Sequence, residues 1–430
     1  MMALRLTGCA LVSMVVVIIC LAGTDGQLLN LVKKWDYTVP INMLSPVVIN
    51  ESLVVIASGE TSVVGLDITS GEKIFTYDAK TYIAFPPVFH RKFIYLSTGI
   101  GARSLLLVNG VIGDIFKVGE PQVIVIDRKG KEIGKYRLPK DEFLNRPPLP
   151  CNNCLILATT RSVHVINLTG RRITVLQRKG WSVLDVEVSA DYDRVLVGWG
   201  KDSSYGYSKR ELWCYDVRRG QIAWQQPSKE HQKIEPVEVK VSKERVYIND
   251  DFRRIYIADI KTGKAKLLWE SSEGRIVIEG VSGESVFVSE QFRKGSLNLL
   301  SIGIDGRVTW QFRVDEFFDL YPGKQQVYVV PIPQQYPRCI TVNSIGLTDG
   351  RLLWKYTFEE VVQVFPPVEF DGKVCLASPA GAVILKSNSG ELLWRSKERI
   401  LAPVAYEHPY LVLQTSDRCL ALELIQREIE

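Results

Sequence analysis

A motif that recurs along almost the whole chain constrains the fold of this protein most strongly. In each copy an apolar, strand-like segment ends near an Asp or Asn, a Gly follows within a few residues, and an aromatic residue comes shortly afterwards. Successive glycines are 40 to 59 residues apart, close to the roughly 40–45 residues of a four-stranded propeller blade. The clearest copies have Gly71, Gly220, Gly263, Gly306, Gly350 and Gly390, and weaker copies have Gly130 and Gly170. The period therefore predicts a β-propeller.

The turn and the aromatic residue of each copy have a structural explanation. A carboxylate at the turn accepts backbone hydrogen bonds, and Gly takes the positive φ that a tight turn requires. A wide ring on the following strand can cover the Gly turn and fill the wedge between two blades. We interpret the rings as structural rather than as a ligand-binding aromatic box. They are Trp35, Phe75, Trp224, Trp269, Trp310, Trp354 and Trp394.

The segments between the turns have the composition of strands. Short β-branched or aromatic runs, such as 54–56, 93–96 and 246–248, are bounded by turn residues, which is the pattern of strands rather than helices. Pro precedes several of these runs, as the first position of a strand permits. The sequence thus predicts an all-β protein, with insertions at 100–121 and 201–209 where the interval is long.

The two ends of the chain each hold part of one repeat. Residues 31–37 look like the last strand of a unit, and residues 400–425 supply three strands and then stop. Pairing of the two pieces would close the ring and remove free sheet edges. The composite unit brings the count to nine blades, whereas eight result if the weak unit 154–178 is irregular. We favour eight, leave nine open, and expect residues 27–430 to form one domain and a monomeric ring.

The best copies resemble the PQQ-like repeat, named after pyrroloquinoline quinone. The resemblance is carried by the Asp-x-x-x-Gly turns and trailing Trp of 215–224 and 258–269 and the similar turn of 387–394, and it extends over 31–425. It implies the propeller fold and says little about function, because function on a propeller resides in grafted sites. WD-repeat propellers would need Gly-His and Trp-Asp pairs that these units lack.

The PQQ-like family includes quinone-dependent alcohol and sugar dehydrogenases. The resemblance implies that such enzymes use a catalytic Asp, a calcium site of Glu and Asn, and in several cases a disulfide between adjacent cysteines. This chain has no Cys-Cys pair, and no residue can be assigned one of those roles. We therefore predict no cofactor and no metal, and the closer similarity in kind is to the propeller lipoprotein of the bacterial outer-membrane assembly machinery, which binds partners without catalysis.

The first 26 residues have the composition of a targeting segment. Arg5 precedes an apolar run at 10–23, which is short for a membrane span of about twenty residues and typical of a signal-peptide core. Residues 1–26 are thus predicted to be a signal peptide or an N-terminal membrane anchor. Cys20 leaves lipidation open, although bulky residues precede it. The protein is expected to be secreted or membrane-tethered on the extracytoplasmic face, with no other membrane contact.

Two further local patterns fit an oxidising compartment. Cys151 and Cys154 are separated by two residues, and we favour a local disulfide over a metal half-site or a redox motif because no second pair and no helix follows. The sequons at Asn50 and Asn167 are candidate glycosylation acceptors, short enough to occur by chance.

Charge and residue usage limit the functional classes. The net charge of +5 comes from 53 basic and 48 acidic residues, without the concentrated basic stripe of a nucleic-acid binder. The four histidines stand outside any Ser or carboxylate motif, while scarce His and Met hint at a thermophile. We predict a non-enzymatic interaction scaffold that binds unidentified protein partners through its loop faces. The insert 100–121 is the first candidate contact, and the alternative for it is an extra hairpin packed on the ring. The alternative function is a quinone- or sugar-binding sensor, or a PQQ-dependent dehydrogenase, using the central channel.

Overall fold

The computed structural model is a ring of antiparallel sheets. It describes residues 29–39, 46–58, 61–100, 118–189, 193–203, 206–227, 234–292, 297–332, 339–415 and 417–425. The described residues form 36 strands in nine four-stranded sheets. Of the two counts that the sequence left open, nine is the one that the structure has, because the unit at 154–178 forms a regular sheet. The all-β propeller prediction is confirmed.

Eight of the nine sheets are continuous in sequence, and we number these blades 1 to 8 in chain order. Strand β1 (Asn30–Thr38) comes before them and belongs to blade 9. Blade 1 consists of β2 (Val48–Asn50), β3 (Leu53–Ser58), β4 (Ser62–Asp67) and β5 (Lys73–Asp78), and blade 2 of β6 (Val88–His90), β7 (Phe93–Ile100), β8 (Val118–Asp127) and β9 (Glu132–Arg137). Blade 3 consists of β10 (Leu149–Cys151), β11 (Cys154–Ala158), β12 (Ser162–Asn167) and β13 (Arg172–Gln177). Blade 4 consists of β14 (Trp181–Val188), β15 (Arg194–Ser203), β16 (Gly206–Asp216) and β17 (Gln221–Gln226).

The remaining blades repeat the same order. Blade 5 consists of β18 (Pro236–Ser242), β19 (Arg245–Asp250), β20 (Arg254–Asp259) and β21 (Ala265–Glu270), and blade 6 of β22 (Arg275–Ser282), β23 (Ser285–Gln291), β24 (Leu297–Gly303) and β25 (Val308–Val314). Blade 7 consists of β26 (Phe318–Pro322), β27 (Gln326–Pro331), β28 (Cys339–Gly346) and β29 (Leu352–Glu359). Blade 8 consists of β30 (Val368–Phe370), β31 (Lys373–Ser378), β32 (Gly381–Lys386) and β33 (Leu392–Ser396). Blade 9 consists of β34 (Ala405–Glu407), β35 (Tyr410–Gln414), β36 (Arg418–Ile425) and β1.

Blade 9 closes the ring as the sequence predicted. Strand β1 pairs antiparallel with β36, with Trp35 opposite Ala421 and Thr38 opposite Arg418. The first strand of blade 9 in turn contacts the first strand of blade 1. The two ends of the chain are thereby held in one sheet, in which β1 supplies the fourth strand and completes the ninth blade.

The first strand of each blade is the innermost. Strands β14, β18, β22 and β26 contact one another in succession, whereas the fourth strand of each sheet has a sheet neighbour on one side only. Because the strands alternate in direction, the turn between strands one and two and the turn between strands three and four lie at the same end of each sheet. We call the surface made by these two sets of turns the turn face.

Apolar residues of the middle strands form the core between blades. Val54, Val55 and Ile56 of β3 are fully buried, and burying each such side chain stabilises the fold by about 1.5–3 kcal/mol. Neighbouring sheets share these clusters: Ile94 and Leu96 of blade 2 pack in the cluster that holds the core of blade 1. The repeats therefore depend on one another for their cores.

The two predicted insertions have different outcomes. The one at 201–209 lengthens the β15–β16 hairpin, which remains paired as far as Ser203 and Gly206. Within the one at 100–121, residues 101–117 lie outside the described residues. The insertion joins strands two and three of blade 2, at the end of the sheet opposite the turn face.

The predicted leader, residues 1–26, also lies outside the described residues. No helix in the described part of the chain is long and apolar enough to cross a membrane.

Candidate functional site

Five of the repeat aromatics pack on the glycine turn of the next blade. The indole ring of Trp35 lies over Gly71 of blade 1, and its Nε1–H donates to the Ile68 carbonyl at 2.7 Å. The same contact joins Trp224 to the Ile260 carbonyl (2.7 Å), Trp310 to the Leu347 carbonyl (2.8 Å) and Trp354 to the Ser387 carbonyl (2.7 Å). Phe75 lies over Gly130 of blade 2 in the same way. Neighbouring turns are thus held in fixed relative positions.

The turn itself has the predicted chemistry. Asp67 Oδ1 accepts hydrogen bonds from the backbone N–H groups of Thr69 and Ser70, both at 2.9 Å. Gly71 has a φ of 72°, and a Cβ placed on it would lie 2.6 Å from the Trp35 ring. Glycine is therefore required by the backbone and by the ring above it. Positive φ values are also found at Gly220, Gly263, Gly306, Gly350 and Gly390.

Two predicted aromatics do not cover a turn. Trp269 is the sixth residue after the glycine of its turn, whereas the five other aromatics that follow a repeat glycine are the fourth. The bulge of its strand is displaced, and Leu268 lies against Gly306 of blade 6. Trp394 faces blade 9, where the chain ends replace a turn, and it packs into the cluster that contains Leu31.

The predicted cysteine pair and sequons lie at turns. Cys151 and Cys154 are directly opposite each other at the β10–β11 turn, and both are buried. The disulfide stays a prediction. The Oδ1 atom of Asn167 accepts hydrogen bonds from two backbone N–H groups, as Asp67 does, and Oδ1 of Asn50 accepts one from Arg128 at 3.2 Å. Both side chains thus support turns, and their glycosylation stays a prediction.

The centre of the ring carries a group of charged side chains that sequence reasoning missed. Five carboxyl groups lie on four successive innermost strands, together with one lysine, and we call this set the channel cluster. It comprises Asp185, Glu187, Glu238, Lys240, Glu279 and Asp319. No local motif predicts it, because its members lie on four strands about 40 to 50 residues apart in sequence, and the packing of successive blades brings those strands side by side.

Several members of the channel cluster have specific partners. Lys240 Nζ lies 3.2 Å from Glu187 Oε1, and Arg146 Nη1 lies 3.4 Å from Asp185 Oδ1. The Ile278 N–H donates to Glu238 Oε2 at 2.7 Å. Two cations therefore stand against five carboxyl groups, which leaves an acidic surplus at the centre of the ring.

Burial changes the proton affinity of this cluster. Burial raises the pKa of Glu279 to about 7, and the carboxyl groups of Glu238 and Asp319 add to the rise. The pKa values of Glu187 and Glu238 are also raised by burial, against the opposing effect of Lys240. Burial lowers the pKa of Lys240, but the surrounding carboxylates outweigh it and the pKa is raised overall. Glu279 therefore exchanges a proton near neutral pH.

A second polar group surrounds His164, which the sequence presented as isolated. Nε2 of His164 lies 2.6 Å from Ser162 Oγ and 3.2 Å from Glu142 Oε2, and Nδ1 lies 2.7 Å from Tyr136 Oη. In a Ser-His-acid triad the acid binds the ring nitrogen opposite the serine. Here Ser162 and Glu142 contact the same nitrogen, and Ser162 and His164 are only 0% and 1% exposed. The arrangement joins blades 2 and 3 as a buried structural network.

Burial would raise the pKa of Glu142, but hydrogen bonds from His164, Ser162 and Thr159 outweigh it and hold the pKa at about 2. The expectation that the histidines lack carboxylate or serine neighbours is therefore wrong for His164, and also for His408, whose Nδ1 lies 3.4 Å from Asp371 Oδ2. Residue Glu142 comes from the connection between β9 and β10, so no spacing within a strand could have predicted its place.

Comparisons with known proteins agree with this architecture. A PQQ-type family profile described as outer membrane protein assembly factor BamB matches residues 208–326, from blade 4 into blade 7. No curated protein matches the sequence significantly.

Solved structures of different activities share the fold. BamB from Moraxella catarrhalis has 12% identity and a TM-score of 0.53, covering 92% of this chain and 100% of that one. A quinohemoprotein alcohol dehydrogenase from Pseudomonas putida HK5 has 10% identity and a TM-score of 0.52, covering 92% and 76%. A eukaryotic initiation factor has 12% identity and a TM-score of 0.56, covering 84% and 90%.

At such identities the likeness extends to the fold alone. The repeat and its turns, the profile match over part of the ring and the shared architecture agree with one another. The chain is a nine-bladed β-propeller, and its residues 208–326 match the profile of the PQQ-like repeat family.

Proposed function

We propose that this protein is a non-enzymatic extracytoplasmic scaffold that binds protein partners through its loop faces. The observation that carries the proposal is the hydrogen bond from a repeat tryptophan to the turn of the next blade at four blade boundaries, as in Trp224 Nε1–H to the Ile260 carbonyl at 2.7 Å. Turns held in this way form a preorganised surface, and preorganisation lowers the conformational cost of binding a partner. Loops on such a rigid base are common binding surfaces.

The pairing within the channel cluster favours a structural role for its charges. Arg146 neutralises Asp185, and Lys240 lies against Glu187. A buried charge costs several kcal/mol unless it is paired, so these contacts are what a stable ring requires of acidic innermost strands. The scaffold needs no further chemistry from them.

The second candidate is a ligand-binding or dehydrogenase function at the centre of the ring. It is favoured by Glu279, whose pKa of about 7 suits proton exchange at neutral pH, and by the acidic surplus around it. The residues do not fit the calcium and quinone pair of the dehydrogenases, because the Lys240 ammonium already occupies the place of a cation beside Glu187 and Glu238 Oε2 accepts a backbone N–H. Within the described residues, no three His, Cys, Asp or Glu side chains converge to hold a metal ion.

The extracytoplasmic location is part of the proposal and rests on the sequence of residues 1–26. Attachment to the membrane would come through that segment alone, with the ring outside. Fusion of the full chain to a phosphatase reporter that is active only outside the cytoplasm tests this point. Reporter activity that requires residues 1–26 is expected, and a full-length fusion that accumulates without reporter activity contradicts the extracytoplasmic location.

Site-specific photocrosslinking in the cells that make the protein tests the scaffold. A photoreactive residue is placed at Glu284 or Arg351 on the turn face and, as a control, at Gln311 in the middle of an outer strand; all three are exposed. The proposal predicts a discrete crosslinked protein from a turn-face position and none from Gln311. Equal, diffuse crosslinking from all three positions would contradict a specific partner surface.

A further inference from the structure

The boundary between blades 5 and 6 is one of those at which no aromatic ring covers the turn of the next blade. At four other boundaries an indole ring covers the glycine of the next turn, as Trp224 covers Gly263. Here the displaced bulge of β21 puts Leu268 in that place, with its carbonyl against Gly306. A leucine side chain is smaller than an indole, so this boundary is filled less completely near the turn face.

Two adjoining cavities lie at this boundary, with volumes of about 320 and 360 Å³. Both are lined by Glu244 and Arg245. The first extends between the turns of blades 5 and 6 at 243–244 and 283–284, and the second continues along Ile257, Ala258 and Ile304. We call the two together the blade 5–6 groove.

The acidic side chains of the groove already have partners. Glu284 pairs with Arg245 at 3.7 Å, and Glu244 pairs with Lys261. Asp259 Oδ1 accepts the Thr262 backbone N–H at 2.8 Å as part of its turn. Their negative charge is therefore largely offset within blades 5 and 6.

Three lysines of the groove have no such partner. Lys243, Lys264 and Lys266 are exposed and line the cavities. None of them has an acidic oxygen within 4 Å in the part of the chain that the structure describes. Beside Lys264 and Lys266 the second cavity is lined by Ile257, Ala258 and Ile304. The groove thus combines a short apolar wall with unneutralised cations at its rim.

We propose that the blade 5–6 groove binds an extended acidic segment of a partner protein. Carboxylates of the segment would pair with Lys243, Lys264 and Lys266, while an apolar side chain between them would contact Ile257 and Ile304. A segment with acidic and apolar residues in alternation fits both features, because successive side chains of an extended chain point to opposite sides. The inference rests on the scaffold function and names the chemistry of its partner.

Fluorescence anisotropy of a labelled peptide of about ten residues with alternating Glu and Leu tests this groove on the full chain. Lys264→Glu/Lys266→Glu is expected to weaken binding of the peptide roughly tenfold or more, because the new carboxylates repel those of the peptide. Lys264→Gln/Lys266→Gln is expected to weaken it less, because the attraction is lost but no repulsion is added. The control Lys129→Glu/Lys131→Glu changes the net charge equally at the turn of blade 2, where Phe75 covers Gly130. It should bind like the unmodified chain, and added salt should weaken binding by screening.

Three results would contradict the proposal that the blade 5–6 groove binds an acidic segment. They are equal loss of binding in the control, full retention of binding in Lys264→Glu/Lys266→Glu, and complete competition by a single-stranded oligonucleotide of the same charge, which would indicate a general polyanion surface. Thermal unfolding of each variant identifies any that fail to fold. If Lys264→Glu/Lys266→Glu fails to fold, binding by Lys264→Gln/Lys266→Gln decides the test.

Crosslinking separates this inference from the proposed function. Partner crosslinks from Glu284 or Arg351 that persist unchanged in Lys264→Glu/Lys266→Glu would refute the groove and leave the scaffold in place. Absence of specific crosslinks from both positions in the unmodified chain, together with peptide binding at the groove, would instead count against the scaffold.

Discussion

The indole of Trp35, on the N-terminal strand of the last blade, donates its N–H to Ile68 in the turn of the first blade at 2.7 Å. The same ring covers Gly71, so one side chain connects the closing sheet to the sheet that follows it in the ring. Closure therefore uses the ordinary blade-to-blade contact in addition to the pairing of β1 with β36.

This contact predicts a graded response to substitution of Trp35. Trp35→Phe keeps a ring over Gly71 and loses the hydrogen bond, which should lower the free energy of unfolding by about 1 kcal/mol. Trp35→Ala removes the ring and should cost about 3–5 kcal/mol. Urea denaturation measures both, with the exposed Val32→Ala on the same strand as control. Equal effects of Phe and Ala would show that the ring contributes nothing of its own.

A pair of glycines separates backbone strain from contact with the ring. Gly263 and Gly372 have φ values of 69° and 70°, but a Cβ would lie 2.6 Å from Trp224 at Gly263 and meet no atom within 4 Å at Gly372. Gly372→Ala should cost about 1–2 kcal/mol of unfolding free energy, and Gly263→Ala about 1–3 kcal/mol more, because the ring must move. Similar losses at both positions, measured by urea denaturation, would contradict the packing account.

The periodic parts of this fold are the ones that the sequence predicted. The turn, its glycine and its aromatic residue lie within about ten residues of one another, so local spacing reveals them, and the closure of β1 on β36 follows from incomplete repeats at the two ends. Trp269 was interpreted like the others because its displacement arises from a bulge, which the spacing does not reveal. The channel cluster and the Glu142–His164 contact join residues of different blades or connections, and no motif within one repeat marks them.

Glu279 should make stability depend on pH near neutrality. Its folded pKa of about 7 lies above the ordinary 4.5, so the stabilisation of the protonated form is present below about 4.5 and is lost as the pH rises through 7. Glu279→Gln keeps the side chain neutral and should be more stable than the unmodified protein at pH 8 by on the order of 1–3 kcal/mol. Thermal denaturation from pH 5 to 8 measures the difference, with the exposed Glu273→Gln as control; parallel profiles for all three proteins would refute it.

Glu142 should make stability depend on pH in the direction opposite to that of Glu279. Its folded pKa of about 2 lies below 4.5, so its stabilisation is present above 4.5 and disappears as the pH falls towards 2. Glu142→Gln should cost about 1–3 kcal/mol at neutral pH, because buried partners lose an acceptor, and should flatten the acid dependence between pH 4.5 and 2. Circular dichroism during acid titration compares it with the exposed Glu72→Gln, and an unchanged acid limb would contradict the network.

The most direct test of the scaffold account is titration of the purified full chain with pyrroloquinoline quinone and calcium. Cofactor absorbance reports binding, and reduction of an electron-accepting dye with mixed alcohols and aldoses reports turnover. A non-enzymatic scaffold should give no saturable change in absorbance and no dye reduction above that of free quinone. Saturable binding with turnover that Glu279→Gln abolishes would contradict it and place an active site at the channel cluster.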